Sequence, residues 1–498
     1  MTTAADVVAW LSDGMWAWFL TPIVVLLALY FTIRTGFGQF NAIPQMFRTI
    51  TEPAPRDKDG EPQSINAFQA FTLSAASRVG VGNIAGVGTA IAIGGPGAVF
   101  WMWAMALLVG ASSLVESTLA QLYKVKDPDN AFRGGPAYYI QSGLKSRPFA
   151  IAFAVSLILT FPFAFNSLQA NTLTDTIVLT VGDGNAARWL PLVVGVVLAT
   201  LTGLVIFGGL KRIASISQTV MPTVAIMYLL VGIVIVAINF RQIPWAFSSI
   251  FEYAFGLKQF AGGAIGTVIA MGVRRGMFSN EAGLGSVPNA AAAAAVTHPV
   301  KQGLVQTLGV YFDTWLVCSI TAFIILVSSP DLVNAPRGVY LTQHAMTETL
   351  GGWSSVLLVV MIAMLAFTSL LGNYYYGEAN IRFITDNPKV LTVFRSLVVV
   401  TVLLGCLAEV DLIWNMADGV MGIMALINMI AIALLSPVAI KLWHDYKKQL
   451  KEGLDPVFTV DRIPGLKNVE CWQSEQEVAG WHVQPARQAD VAGNNSDS

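Results

Sequence analysis

Apolar residues along this chain fall in long runs rather than at the alternating or helical spacing of a soluble fold. A run of about 20 such residues crosses a hydrocarbon core as one helix. About eleven runs can be marked. They are Met15 to Ile33, Asn66 to Ile93, Ala98 to Tyr123, Phe149 to Leu179, Leu190 to Phe207 and Gln218 to Asn239, an irregular one from Phe255, then Gln302 to Val327, Trp353 to Tyr376, Val390 to Leu407 and Ile413 to Leu442. The pattern predicts an all-α polytopic membrane protein. The first run is long enough to span and no positively charged segment precedes it, so it reads as a permanent helix rather than a cleaved leader.

One run is out of character. Ser74 to Gly97 reads SAASRVGVGNIAGVGTAIAIGGPG, with Gly80, Gly82, Gly86 and Gly88 crowded beside Ser77, Arg78 and Asn83. Each interior glycine costs a helix roughly 1 kcal/mol relative to alanine. Polar groups at membrane depth are penalised unless they serve a cavity or a partner. Val79 to Asn83 is therefore expected to be unwound, which is tolerated only where protein or water covers the backbone. The seventh run is interrupted too, early by Gly262, Gly263 and Gly266 and later by Arg274, Arg275, Asn280 and Glu281. Arginines are expensive in lipid, so Arg274 and Arg275 are placed at the inner membrane face and the break at Ala261 to Thr267.

Composition agrees. The 498 residues are 55% hydrophobic and 12% charged, against about 25% charged in a soluble domain. A net charge of -1 offers nothing to nucleic acid. Cys318, Cys406 and Cys471 show no disulfide or metal spacing, and the four histidines fall in loops or the tail, where solvated side chains are expected. Lysine and arginine gather on one side of the predicted bundle. The positive-inside rule then puts the C-terminus in the cytoplasm and the N-terminus outside, in a plasma (inner) membrane.

Runs two and seven lie five apart and cross in opposite directions. Two broken helices at matching places point to an inverted-repeat secondary transporter. The expected units are 1–65 (first helix and a cytoplasmic loop), 66–240 and 241–443 (five-helix repeats), and 444–498 (a cytoplasmic tail, disordered toward its end).

Gly82 to Trp103 and Arg274 to Ala295, the latter opening RRGMFSNEAGLGSVPN, resemble signature motifs of the alanine/glycine:cation symporters, the sodium:alanine symporter family. The resemblance spans about Met15 to Tyr446. It implies a leucine-transporter-type 5+5 fold with one extra N-terminal helix, and inward symport of a small neutral amino acid such as alanine or glycine with sodium. A proton in place of sodium, or another substrate such as glutamine, are the alternatives. It implies no cofactor beyond the coupling ion, and the partners are amino acid, sodium and lipid.

On that basis the start of the helix after the break suits a carboxylate, with Gly80 and Gly82 admitting close backbone contact and Asn83 donating or accepting. Gln169, with Phe163 nearby, is a substrate candidate or a helix–helix contact. Gly262, Gly263, Thr267 and Asn373 complete the expected substrate set. Thr368 and Ser369 are similar to the fold's sodium-ligating pair, though hydroxyls also bond their own helix. The Val79 carbonyl joins them. Asp313 is either a cation or proton site or half of a buried ion pair. Arg78, Glu116 and Arg274 are expected in an internal gate, and Glu281 bracing the inner turn. Asp418 and Glu409 read as interface residues. A channel would need a symmetric ring of carbonyls or charges. An enzyme would need a nucleophile–base pair or metal ligands in the spans. The sequence offers neither.

Overall fold

A computed structural model describes residues 12–127, 131–182, 185–256, 265–329, 331–332, 335–336 and 338–479. The principal helices are α1 (Ser12–Arg34), α2 (Ala67–Arg78), α3 (Val81–Gly94), α4 (Gly97–Leu122), α5 (Arg147–Val181), α6 (Arg188–Ile206) and α7 (Gly209–Ile238). They continue as α8 (Ile265–Asn280) and α9 (Val287–Ala293), then α10 (Pro299–Val327), α11 (Trp353–Ile384), α12 (Pro388–Leu407) and α13 (Val410–Lys451). Among the described residues nine helices are long and apolar enough to cross a membrane, or ten when the pair α2 and α3, bent by 59°, counts as one. A two-stranded hairpin, β1 (Val125–Asp127) and β2 (Ala131–Arg133), follows α4.

Helices satisfy their own backbone, so long apolar runs can exist in lipid only in this form. Their ends are where sequence decides. Asn66 caps α2, accepting from Gln69 N–H at 2.8 Å while Gln69 accepts from Asn66 N–H at 3.1 Å. The centre of the bundle is built on α4, which packs against α10, α8 and α1, while α5 packs against α11 and α12. Apolar side chains of α6, α7 and α12 stay exposed along their outer faces, as a lipid-facing surface requires.

Two expectations change here. His298 is fully buried, not solvated. Its Nδ1 accepts the Val300 N–H at 3.1 Å as the cap of α10, and Nε2 lies 3.4 Å from Asp445. The expected tail boundary at residue 444 also falls inside α13, and the described residues after it, through 479, are packed. Phe458 N–H donates to the Thr297 carbonyl at 2.9 Å, Trp472 donates to the Gln121 carbonyl at 3.0 Å, and Lys301 pairs with Glu52 and Asp455 at 2.8 and 2.9 Å. Apolar Phe458, Cys471 and Trp472 are buried by these contacts, and burying them outweighs the polar composition of the segment around them.

Candidate functional site

The first break lies where the glycines put it. Backbone between Arg78 and Val81 leaves the helix, with Gly80 extended. Gly80 N–H donates to Asn83 Oδ1 at 3.0 Å, and Val81 N–H to Gln169 Oε1 at 3.1 Å. Side chains thus replace the helical acceptors four residues back. A methyl group on Gly80 would overlap Ser369 Oγ and the Gln169 amide, and one on Gly82 would overlap the Phe278 ring. Both positions need glycine for close approach.

A second break lies at Glu281–Ser286, and of the stretch Ala261 to Thr267 expected to hold one only residues 265–267 are described. Thr267 is inside α8, which runs unbroken to Asn280, and the helix stops at Glu281–Ser286. Glu281, Gly283 and Gly285 all take the left-handed conformation there. Gly262 and Gly263 lie outside the described residues. Arg274 and Arg275, on α8 before that stop, are buried. Their cost is met by pairing. Arg275 forms an ion pair with Asp418 of α13, and Arg274 lies 2.7 Å from Asp13 and 3.6 Å from Asp418. Asp418 is accordingly buried rather than interfacial.

The two breaks meet. Ser77 Oγ, at the end of α2, lies 2.6 Å from Glu281 and 2.7 Å from Asn373. Glu281 also accepts from Ser286 at 2.6 Å. Asp313, buried in α10, accepts from Asn83 Nδ2 at 2.6 Å and Ser279 Oγ at 2.8 Å, with Thr314 at 3.2 Å. One carboxylate thus ties the first break to the second. Asn373 reaches Asn166 of α5 at 3.0 Å.

Several expected residues take other partners. Glu116 makes no pair with Arg78 or Arg274. It accepts from Gly283 N–H at 2.9 Å and Asn428 at 2.8 Å, so it holds the second break's backbone. Arg78 is buried, its Nη1 donating to the Gln306 carbonyl at 3.2 Å and the rest of the guanidinium without acceptors. A methyl group on Gly309 would overlap that guanidinium, so Gly309 makes its room. Thr368 Oγ bonds its own helix at Met364 and Leu365, whereas Ser369 Oγ is buried without a partner beside Gly80. Phe163 packs against Phe394 with ring centres 6.2 Å apart, away from the break. The ring at the centre is Phe165, 4.8 Å from Phe278, which in turn lies 5.4 Å from Trp414. Asn166 and Phe165 belong to a polar and aromatic patch around Gln169 that the sequence shows, and Ser279 reads from sequence as a helix cap. Phe278 and the pairing of Arg275 with Asp418 were not read from it. Phe278 and Arg275 lie within the flagged motif RRGMFSNEAG, which was the available signal, whereas nothing near Asp418 in sequence points to its partner.

Beyond Trp414 a cavity of about 1160 Å³ opens. It is lined by Thr89, Thr267, Arg274, Arg275, Trp414 and Asp418, among others. The aromatic pair and the ion pair stand between this vestibule and the unwound segments.

A helical membrane bundle with two interrupted helices joined across their breaks is the architecture of leucine-transporter-type transporters. The crystal structure of MhsT in complex with L-phenylalanine has the same fold, at TM-score 0.50 and 13% identity over 81% of this chain and 95% of that one. This chain belongs to the sodium:alanine symporter family, whose model matches residues 1–460. It is similar to the amino-acid carrier protein AlsT of Bacillus subtilis, 49% identical over 94% of this chain and 97% of that protein. It is also similar to the probable sodium/glutamine symporter GlnT of the same organism, 45% identical over 93% and 94% of the two chains.

Proposed function

We propose that this protein is a symporter importing a small neutral amino acid, alanine or glycine first, with sodium by alternating access. The observation that carries the reading is the joining of the two breaks through Ser77–Glu281 and Asn83–Asp313–Ser279. Anything bound there is held by both halves at once and biases how they sit together. In this reading the two five-helix units are inverted repeats spanning 66–240 and 241–443, with α8 and α9 together making the eleventh span. Lysine- and arginine-rich loops lie inside, so the vestibule faces outward.

The substrate carboxylate sits at the positive end of α3, near Val81 to Asn83. Gly80, Gly82, Gln169, Phe165 and Phe278 form walls that leave little beyond a small side chain. Sodium takes oxygen ligands. The unpartnered Ser369 Oγ beside the broken backbone is one donor, and Asp313 with Ser279 and Asn83 forms a second set. Phe278, Trp414 and the Arg275–Asp418 pair close the path from the vestibule. The family's name gives alanine and one relative's gives glutamine; the close approach of Ser369, Gln169 and Phe278 to Gly80 and Gly82 is what favours a small side chain.

The test is uptake of labelled L-alanine by proteoliposomes under an inward sodium gradient, with a competition panel of glycine, D-alanine, serine and glutamine. Accumulation above the outside concentration is expected. Accumulation driven only by a proton gradient would move the coupling ion to H⁺, with Asp313 the carrier. Equilibration without accumulation would overturn the symport reading.

A further inference from the structure

The first helix lies outside both proposed repeats, yet its vestibule end is built into the gate. The Trp16 indole, fully buried, donates to the backbone carbonyl of Asp418 at 3.0 Å. The Arg274 guanidinium lies 5.6 Å from the Trp16 ring centre. Gly422, one turn beyond Asp418, makes room for Met15, Trp16 and Leu20, so α1 and α13 pack without a gap. Asp13 lines the vestibule and bonds Arg274 at 2.7 Å.

The charge arrangement gives these contacts a purpose. Two adjacent arginines on α8 both lie within 4 Å of Asp418 on α13. Arg275 takes Asp418, and Arg274, 8% exposed along its side chain, would be left 3.6 Å from the same oxygen. A buried guanidinium lacking its own anion is costly and would compete for Asp418. Asp13 supplies the second anion. Asp175 and Asp411 also line the cavity, but it is Asp13 that bonds Arg274.

We propose that α1 is a working part of the vestibule gate, in which Asp13 is a positioning residue that engages Arg274 and leaves Asp418 to Arg275. Trp16 fixes the Asp418 backbone from the same helix. Without Asp13, Arg274 is relieved only when water reaches it, so the open vestibule gains population over the closed one. The inference rests on the vestibule being the substrate's way in.

The experiment labels Asn415→Cys, on the vestibule wall, with a membrane-impermeant maleimide in intact cells. The three native cysteines are buried. In the parent, sodium plus alanine should slow labelling as the gate closes. Asp13→Asn should keep labelling fast and raise KM for alanine roughly three- to ten-fold with little change in Vmax, the range expected for a partly exposed pair with one buried partner. Asp13→Glu should restore both readouts. In an Arg274→Gln background, Asp13→Asn should add nothing. Asp13 is 68% exposed along its side chain, so its replacement leaves the fold intact. Parent-like KM and labelling in Asp13→Asn, or an equal effect in the Arg274→Gln background, would overturn the role of Asp13. Labelling of the parent that ignores sodium and alanine would instead overturn the vestibule as the access path.

Discussion

At the residue scale the structure separates side chains that sequence had paired. Thr368 and Ser369 are neighbours with the same chemistry, but Thr368 is bonded to its own helix and Ser369 faces the break with no partner. Ser369→Ala should therefore raise the sodium concentration for half-maximal uptake roughly five-fold, the loss of about 1 kcal/mol from a buried polar contact. Thr368→Val should leave it unchanged, and equal effects in sodium titrations of uptake would show that the two act together. His298 gives a pH dependence. Burial pushes its pKa down to about 4 from 6.5, against the pull of Asp445 and with Lys301 and Arg462 opposing protonation. In that window the unfolded chain binds the proton and the folded one does not. Stability is then lost as pH falls from about 6.5 toward 4, on the order of 3 kcal/mol in full. Thermal unfolding in detergent at pH 7 and pH 5 should show the drop, and His298→Asn, which can still cap α10, should flatten it. None of this was legible from sequence. A histidine between predicted spans reads as solvated, because nothing local reveals that Asp445, far along the chain, will cover it.

At the scale of single elements, the first break was legible and the one at Glu281–Ser286 was not, for one physical reason. In the first, the glycines that weaken the helix also admit Ser369, Gln169 and Phe278, so composition and function coincide. In the second, the early glycine cluster was given the break because arginines were assumed to need water. Asp418 and Asp13 supply the counter-charge instead, and the break falls where Gly283 and Gly285 take positive φ, +79° and +83°. Gly283→Ala should cost about 1–2 kcal/mol for the left-handed backbone, and its methyl group would meet Met429. It would also disturb the N–H that Glu116 holds, so uptake should fall with the melting temperature. Gly266→Ala is the contrast. Gly266 is helical and a methyl group there meets nothing within 4 Å, so melting should be unchanged or slightly higher. A larger loss at Gly266 than at Gly283 would favour Ala261 to Thr267 as the functional break.

Across the whole molecule, the long apolar runs fixed the membrane class and most span boundaries, whereas the chain after α13 escaped notice because its anchors are single residues in polar surroundings. Those anchors join parts distant in sequence. Phe458 reaches Thr297 before α10, Trp472 reaches Gln121 at the end of α4, and Asn468 reaches the Ser142 carbonyl at 2.9 Å. Lys124 is buried beneath this segment, its ammonium 3.9 Å from the Phe132 ring centre and 4.6 Å from that of Trp472. Burial pushes the Lys124 pKa down to about 8, while the two rings favour the charged form. Trp472→Ala should cost about 3–5 kcal/mol, as large aromatic truncations in packed sites do, and truncation after Glu452 at least as much, read as a lower melting temperature in detergent. The same variants should raise the Lys124 pKa by letting water in, which lysine-specific acylation at pH 8 would report as slower modification per unit of exposure. If melting is unchanged in both variants, the segment merely rides on the bundle. If it falls, the end of α4, the start of α10 and the chain after α13 are one mechanical unit, and any motion opening the lysine- and arginine-rich face must break these contacts together.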